Sequence, residues 1–216
     1  MKPSSNEVKQ ILDAARENPI DVSWIEHTLA VGNTASLIAA ALCEHGHNLD
    51  PERVRTLGYL HDIGKIGGNY NFLGHVLDGY AYLKRKGYSD DYCAVSLTHS
   101  FPSNDPELTV SSPIFDPKYL PSAEHMQALS DVIPDGDGVK FLTDFIVSHD
   151  FTLEDHIICL CDMICLDRPT TLEQRLIDVI LRHGTWKNTQ KTILEAMKLK
   201  RELDEMLGHD LYKLWQ

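Results

Sequence analysis

Asp50-Pro51-Glu52-Arg53-Val54-Arg55-Thr56-Leu57-Gly58-Tyr59-Leu60-His61-Asp62-Ile63-Gly64-Lys65 reads as a helix that buries one face and closes on a polar pair. Asp50 supplies a side-chain cap, and Pro51 suits the first helical position, where its missing amide hydrogen has no partner to lose. Val54, Leu57 and His61 recur on one face before Gly64 ends the turn. His61 and Asp62 are therefore expected at the end of a buried helix. A second stretch, Ile157-Ile158-Cys159-Leu160-Cys161-Asp162-Met163-Ile164-Cys165-Leu166, sets one carboxylate inside an apolar run that holds no Lys or Arg. An unpaired buried charge is strongly unfavourable, so Asp162 needs a partner from elsewhere in the chain. A divalent cation shared with histidines would join the two stretches into one site.

Helical periodicity continues along most of the chain, and no segment alternates convincingly as a strand, so the expected fold class is all-α. Over residues 23–43, His27, Val31, Thr34, Ile38 and Leu42 share a face. A helix over 73–86 carries His75, Gly79 and Tyr82 on one side and stops at Gly87. Ser89-Asp90-Asp91 then caps a fourth helix, on which Tyr92, Val95, Ser96 and His99 align. His27, His75 and His99 all point inward on this reading. Residues 101–121 break any regular element with Pro102, Pro106, Pro113, Pro117 and Pro121. Loops of that length in compact enzymes are often lids or binding rims. A short helix over 123–130, a turn cluster at Pro134-Asp135-Gly136-Asp137-Gly138, and a helix through Phe141, Phe145 and Ile146 follow. Thr152-Leu153-Glu154-Asp155 has the form of a capping box ahead of the Asp162 helix. The tail over 188–207 is amphipathic through Ile193, Leu194, Met197, Leu203, Met206 and Leu207.

The 216 residues suffice for one substantial core, and a single domain over 1–216 is expected, its core spanning about 20–170 with helices of 171–216 packed on it. A net charge of -12 argues against a general grip on nucleic acid, which takes clustered Lys and Arg. No apolar signal-peptide core and no 18-residue uncharged run occurs, so a cytoplasmic protein without membrane insertion is expected. The cysteines number five, and Cys159, Cys161 and Cys165 share one helix, a geometry unsuited to disulfides or a zinc knuckle. They read as small core residues of a reducing compartment.

His-Asp occurs three times, at His61, His149 and His209, so the dipeptide alone distinguishes nothing. The first differs in context: it ends a buried helix, continues as Ile63-Gly64-Lys65, and is joined by inward His27, His75, His99 and by Asp162. In chain order this series resembles that of the HD-domain superfamily of metal-dependent phosphohydrolases, over roughly residues 20–170. The resemblance implies an HD-domain-like compact helical bundle. By the same likeness His27, His61, Asp62 and Asp162 hold a first metal, while His75 and His99 add a second with Asp62 bridging. The segment from His75 to His99 is most similar to the bacterial dinucleoside tetraphosphate hydrolases of the HD class, although the loop after His99 is long and Asp162 comes late. The HD-GYP cyclic-dinucleotide phosphodiesterases share His-Asp-Ile-Gly-Lys, but no Gly-Tyr-Pro follows His99.

What the resemblance implies is hydrolysis of a phosphoester or phosphoanhydride bond in a small nucleotide-like substrate by a metal-activated water. Asp62 and Lys65 are the expected catalytic residues, and Lys65 and Arg168 the expected contacts to phosphate. Imidazole and carboxylate ligands suit two divalent ions of Fe, Mn, Ni, Co or Zn, and no cysteine stands at a ligand position to make a closed structural zinc site. The expected partner is a small phosphorylated or nucleotide substrate, with a homodimer left open. Plainer readings stand beside these. A single inward histidine is more often a hydrogen-bonded core residue than a ligand, and only the joint pattern reverses that. Lys65 could serve a helix end, and Arg168 could pair with Asp167 or Glu173. His149-Asp150 follows a helix and lacks the Gly-Lys continuation, so it reads as surface, although a late helix-end histidine could reach the site. Two rival functions remain: a di-iron HD-fold oxygenase with the same ligand types, and a non-catalytic nucleotide-binding sensor.

Overall fold

Where helix α2 (Ser23–Glu44) crosses α3 (Pro51–Leu60), each contributes a glycine to the contact. A Cβ on Gly58 would fall 2.4 Å from the Cα of Gly32, and one on Gly32 would fall 2.8 Å from the carbonyl oxygen of Arg55. Carbon atoms pack at about 3.5–4.0 Å, so only the absent side chains let these backbones touch. The structure, a computed structural model, describes residues 1–17, 22–69, 71–109, 120–185 and 187–215.

Around this pair stand α1 (Ser5–Ala15), α4 (Phe72–Arg85), α5 (Asp90–Cys93), α6 (Val95–Thr98), α7 (Ala123–Ala128), α8 (Gly138–Ser148), α9 (Leu153–Ile164), α10 (Leu172–His183) and α11 (Thr189–Leu207). A 3-10 turn over Ile63–Gly67 links α3 to α4. The protein is all-α, and among the described residues extended pairing is limited to one isolated bridge between Cys165 and Pro169. No helix among them is long and apolar enough to cross a membrane.

The caps form where the sequence places them. Asp50 accepts the amides of Glu52 and Arg53, and Thr152 and Asp155 make a reciprocal capping box at the start of α9. One expected helix is divided: residues 90–99 form α5 and α6 with a turn at Ala94 between them, and the Ser89 hydroxyl bonds the Met1 carbonyl instead of capping α5. The tail helix also turns differently from its hydrophobic reading. Its buried stripe is Thr192, Ala196, Leu199, Leu203 and Leu207, while Leu194, Met197 and Met206 are exposed. Small residues at 192 and 196 lie where neighbouring helices come close, a requirement that side-chain hydrophobicity alone does not encode.

Two apolar clusters result. The larger joins Val31, Ile38 and Leu42 of α2, Leu57 and Leu60 of α3, Ile157, Ile158, Leu160 and Ile164 of α9, and the buried leucines of α11. Each fully buried large aliphatic side chain contributes about 1.5–3 kcal/mol. The smaller gathers Leu73, Val76 and Leu77 of α4 with Leu97, Phe101, Met126, Ile133, Leu142 and Ile146. Helix α4 therefore carries His75 along the seam between them. The polar loop starts on this second cluster, with Phe101 buried and the Asn104 amide donating to the carbonyls of Ile146 and His149. Its residues 110–119, with Pro113 and Pro117, lie outside the described residues.

Arg53 ties three helices at one end of the bundle. Its Nε donates to both Glu154 oxygens at 3.0 and 2.8 Å, its Nη1 to Asp91 Oδ2 at 2.7 Å, and its guanidinium lies 4.6 Å from the Tyr92 ring centre. Arg53→Ala is expected to lower unfolding stability by about 1–2 kcal/mol in a denaturant titration, chiefly because the largely buried Glu154 carboxylate loses its counter-charge, the exposed Asp91 adding little. Lysine, which lacks the planar fork, should restore only part of the loss. Wild-type stability in the alanine variant would rule this out.

Candidate metal centre

Five helices and the 3-10 turn deliver six polar side chains to one place. His27 lies one turn into α2, His61 follows the last residue of α3, and Asp62 begins the 3-10 turn. His75 sits in the first turn of α4, His99 just past α6, and Asp162 near the end of α9. The turn can run so close to α4 because residue 64 is glycine: a Cβ there would lie 1.9 Å from the His75 carbonyl oxygen and 2.5 Å from the Gly79 nitrogen. The glycine read from sequence as a helix stop is thus also the contact that sets the His61-Asp62 pair against His75.

The donor atoms form two groups, His27, His61 and Asp162 in one, Asp62, His75 and His99 in the other, each with its ligand atoms within 4.8 Å of one another. Asp162 Oδ1 lies 2.9 Å from His27 Nε2 and 3.8 Å from His61 Nε2. Asp62 faces both groups. Its Oδ2 is 3.4 Å from His61 Nε2 and 3.9 Å from His27 Nε2, while its Oδ1 is 3.2 Å from His75 Nε2 and 3.8 Å from His99 Nε2. Burial is nearly complete for His61, Asp62, His75 and His99, whereas His27 and Asp162 are each 15 % exposed and mark the open side.

All four rings are oriented by the same device. His27 Nδ1 is 3.3 Å from the Leu166 carbonyl oxygen, His61 Nδ1 2.7 Å from that of Gly58, His75 Nδ1 2.9 Å from that of Asn71, and His99 Nδ1 3.1 Å from that of Val95. A carbonyl oxygen only accepts, so each Nδ1 donates, and each ring turns its Nε2 toward the carboxylates. Nε2 atoms and carboxylate oxygens gathered at 3–4 Å need positive charge between them, supplied by protons or by a cation. Metal-bound histidines show the same arrangement, the outer N–H held by a carbonyl or carboxylate.

The charges point the same way. Two carboxylates face a single ammonium, Lys65 Nζ, which is ion-paired with Asp62 Oδ2. One negative charge is left over inside the cluster unless a ring is protonated or a cation binds. Burial opposes charge on His61, but Asp62 and Asp162 outweigh it and raise its pKa above the ordinary imidazole value. Burial and the neighbouring His61 press His99 down to about 3, so that ring stays neutral. Burial would raise the carboxyl of Asp62, yet Lys65 and His61 hold it well below the usual range. Asp162 is held down likewise, burial being outweighed by the His27 hydrogen bond and by the charge of His27 and His61. Four imidazole nitrogens and two ionised carboxylates, prearranged and short of positive charge, fit divalent cations.

The remaining expected residues fall differently. Lys65 reaches the cluster, where its ammonium pairs with Asp62. Arg168 is exposed on the turn after α9 and pairs with neither Asp167 nor Glu173. His149 is not a solvated surface residue: its Nε2 is 3.2 Å from Asp155 Oδ2, and it packs between Phe145 and Phe151, outside both ligand groups. A cleft of about 580 Å3 lies behind the 3-10 turn, lined by Ile63, Ile66, Asp78, Tyr82, Arg85 and Lys86 among others, and none of the six ligands faces it. Sequence reading missed the four backbone carbonyls that aim the rings, because a carbonyl has no signature in the side-chain pattern. It also missed the Asp78–His125 pair at 2.6 Å, which no spacing rule connects.

The HD domain family model matches residues 24–167, two thirds of the chain and the span holding all six candidate ligands. No curated protein matches the chain, and no solved structure does.

Proposed function

The chain belongs to the HD-domain family, and from that premise we propose that it is a phosphohydrolase with a binuclear metal centre, cleaving a phosphoester or phosphoanhydride bond in a small nucleotide-like substrate. The observation that carries the reading is the division of Asp62, whose two oxygens each address a different pair of imidazoles. His27, His61 and Asp162 with Asp62 Oδ2 would hold one ion, and His75 and His99 with Asp62 Oδ1 the other. Bound there, two divalent ions supply a water of lowered pKa and positive charge for the entering and leaving oxygens of in-line attack at phosphorus.

The chain's own groups do the rest. The carbonyl-held rings keep their donor atoms aimed without reorganisation, so the site is ready before substrate arrives. Lys65, beside Asp62 at the cluster, would meet a phosphate oxygen as a point charge once a cation took over its carboxylate. Arg168, exposed on the turn beyond Asp162, stands near enough in sequence to the open side to meet a second phosphate oxygen. The likeness to the dinucleoside tetraphosphate hydrolases makes those compounds the first substrates to assay.

The test is elemental analysis of the purified protein together with phosphate release from a panel of nucleotides and dinucleoside polyphosphates, with and without oxygen. Two metals per chain and hydrolysis indifferent to oxygen are expected. A stoichiometry of one would remove the binuclear centre. Oxygen uptake with substrate and no phosphate release would assign the same ligands to an oxygenase, and binding without turnover would leave a sensor.

A further inference from the structure

We propose that Asp155 is a positioning residue for the metal centre, holding His99 at its ligand position through the hydroxyl of Thr98. The proposal rests on the reading of His99 as a ligand. His99 is delivered by a weak element, for α6 has four residues and is cut off from α5 by the turn at Ala94. Helical turns that short do not persist without outside support, because nucleation costs more than so few hydrogen bonds return. His99 Nδ1 leans on the carbonyl of Val95 in that same turn, so any drift of α6 moves the ring with it.

The support comes from α9. The Thr98 hydroxyl, fully buried, donates to Asp155 Oδ1 at 2.9 Å. The other oxygen of Asp155 accepts from the Thr152 amide at 2.9 Å, the Thr152 hydroxyl at 2.7 Å and His149 Nε2 at 3.2 Å. Burial would raise this carboxyl, but His149 and Thr152 outweigh it and keep the group ionised, a strong acceptor for the hydroxyl. His149 is itself wedged between Phe145, ring centres 5.2 Å apart, and Phe151 at 4.9 Å, so the far end of the chain of contacts is packed and not solvated. Asp155 and Asp162 are seven residues apart on α9, hence on one face and about 10 Å apart along the axis. The Thr98 bond therefore fixes the last turn of α6 to the helix that carries a ligand of the opposite group. A capping residue alone would need none of this: the Thr152 contacts satisfy the box, and the Thr98 contact is additional.

Thr98→Val keeps the shape of the side chain and removes the donor. Titration of metal-free protein with Mn²⁺, following unbound Mn²⁺ by its electron paramagnetic resonance signal, should show two equivalents in the wild type. In Thr98→Val one of them should be weakened about 10–100-fold, the usual effect of losing an outer-shell contact, with the other unchanged. Thr98→Ser should restore it, with circular dichroism unaltered in both. Equal affinities in Thr98→Val and wild type overturn the proposal, as does a serine variant that binds like the valine one, or equal weakening of both equivalents. Should the valine variant not fold, Asp155→Asn, which keeps the size and weakens the acceptor, must reproduce the selective loss in milder form, and unchanged binding there is equally fatal. Wild-type protein that takes up no Mn²⁺ defeats the metal-centre reading itself, and this inference with it.

Discussion

Asp62→Asn is expected to release both metals and to cut phosphate release by roughly a thousandfold or more, a barrier increase of about 4 kcal/mol. Asparagine is nearly isosteric with aspartate but offers one acceptor oxygen and an amino group with two hydrogens. Whichever way the amide turns, one pair of imidazoles meets N–H groups where it met an oxygen, since His61 and His27 face Oδ2 while His75 and His99 face Oδ1. The substitution also removes the negative charge that Lys65 pairs with, leaving the ammonium to repel any incoming cation. Helix content should survive, because the neighbouring core is apolar and the volume hardly changes. Elemental analysis with a phosphate assay decides the matter: a variant that keeps two metals and normal turnover would show that Asp62 does not bridge.

Gly58→Ala should be the most damaging single-methyl change outside the metal centre. Its Cβ would lie 2.4 Å from the Gly32 Cα and 2.8 Å from the Gly32 nitrogen. Backbone meets backbone there, so no rotamer relieves the clash, and α2 must move away from α3. Overpacking of this kind costs about 1–3 kcal/mol and sometimes more, and the upper end is expected here. At roughly 2–4 °C per kcal/mol for a chain of this size, the unfolding midpoint should fall by roughly 6–12 °C. Because α2 carries His27 and α3 carries His61, metal affinity should fall with it. Gly67→Ala is the control, since its Cβ would meet nothing within 4 Å and its stability should stay within about 0.5 kcal/mol of wild type. Equal behaviour of the two variants would mean that the helices do not rely on their close approach.

Helices with strong caps and long apolar stripes were legible in the sequence. Asp50-Pro51 and the Thr152–Asp155 box are local chemistry, and local chemistry is read from neighbours in the chain. The convergence of His27, His61, Asp62, His75, His99 and Asp162 was also legible, through two signals of different kinds: inward placement at helical spacing, and an acidic residue with no cation nearby in an apolar run. The break at Ala94 was hidden because apolar spacing runs through it unbroken. The orientation of α11 was misread for a related reason, its seam being marked by the smallness of Ala196 and not by the bulk of Leu194 or Met197. The pairing of Lys65 with Asp62, three residues before it, was not read, because both residues were assigned to other partners.

The four ring-to-carbonyl bonds have one more consequence. Zinc fingers unfold when their ion is withdrawn, since metal binding is most of their folding energy. Here two hydrophobic clusters shape the chain, the carbonyls of Gly58, Asn71, Val95 and Leu166 aim the rings, and the Lys65 ammonium neutralises Asp62 in the meantime. Protein stripped of metal is therefore expected to keep its helices and its melting cooperativity, and a chelator that collapses the circular dichroism signal would show that the fold depends on an ion after all.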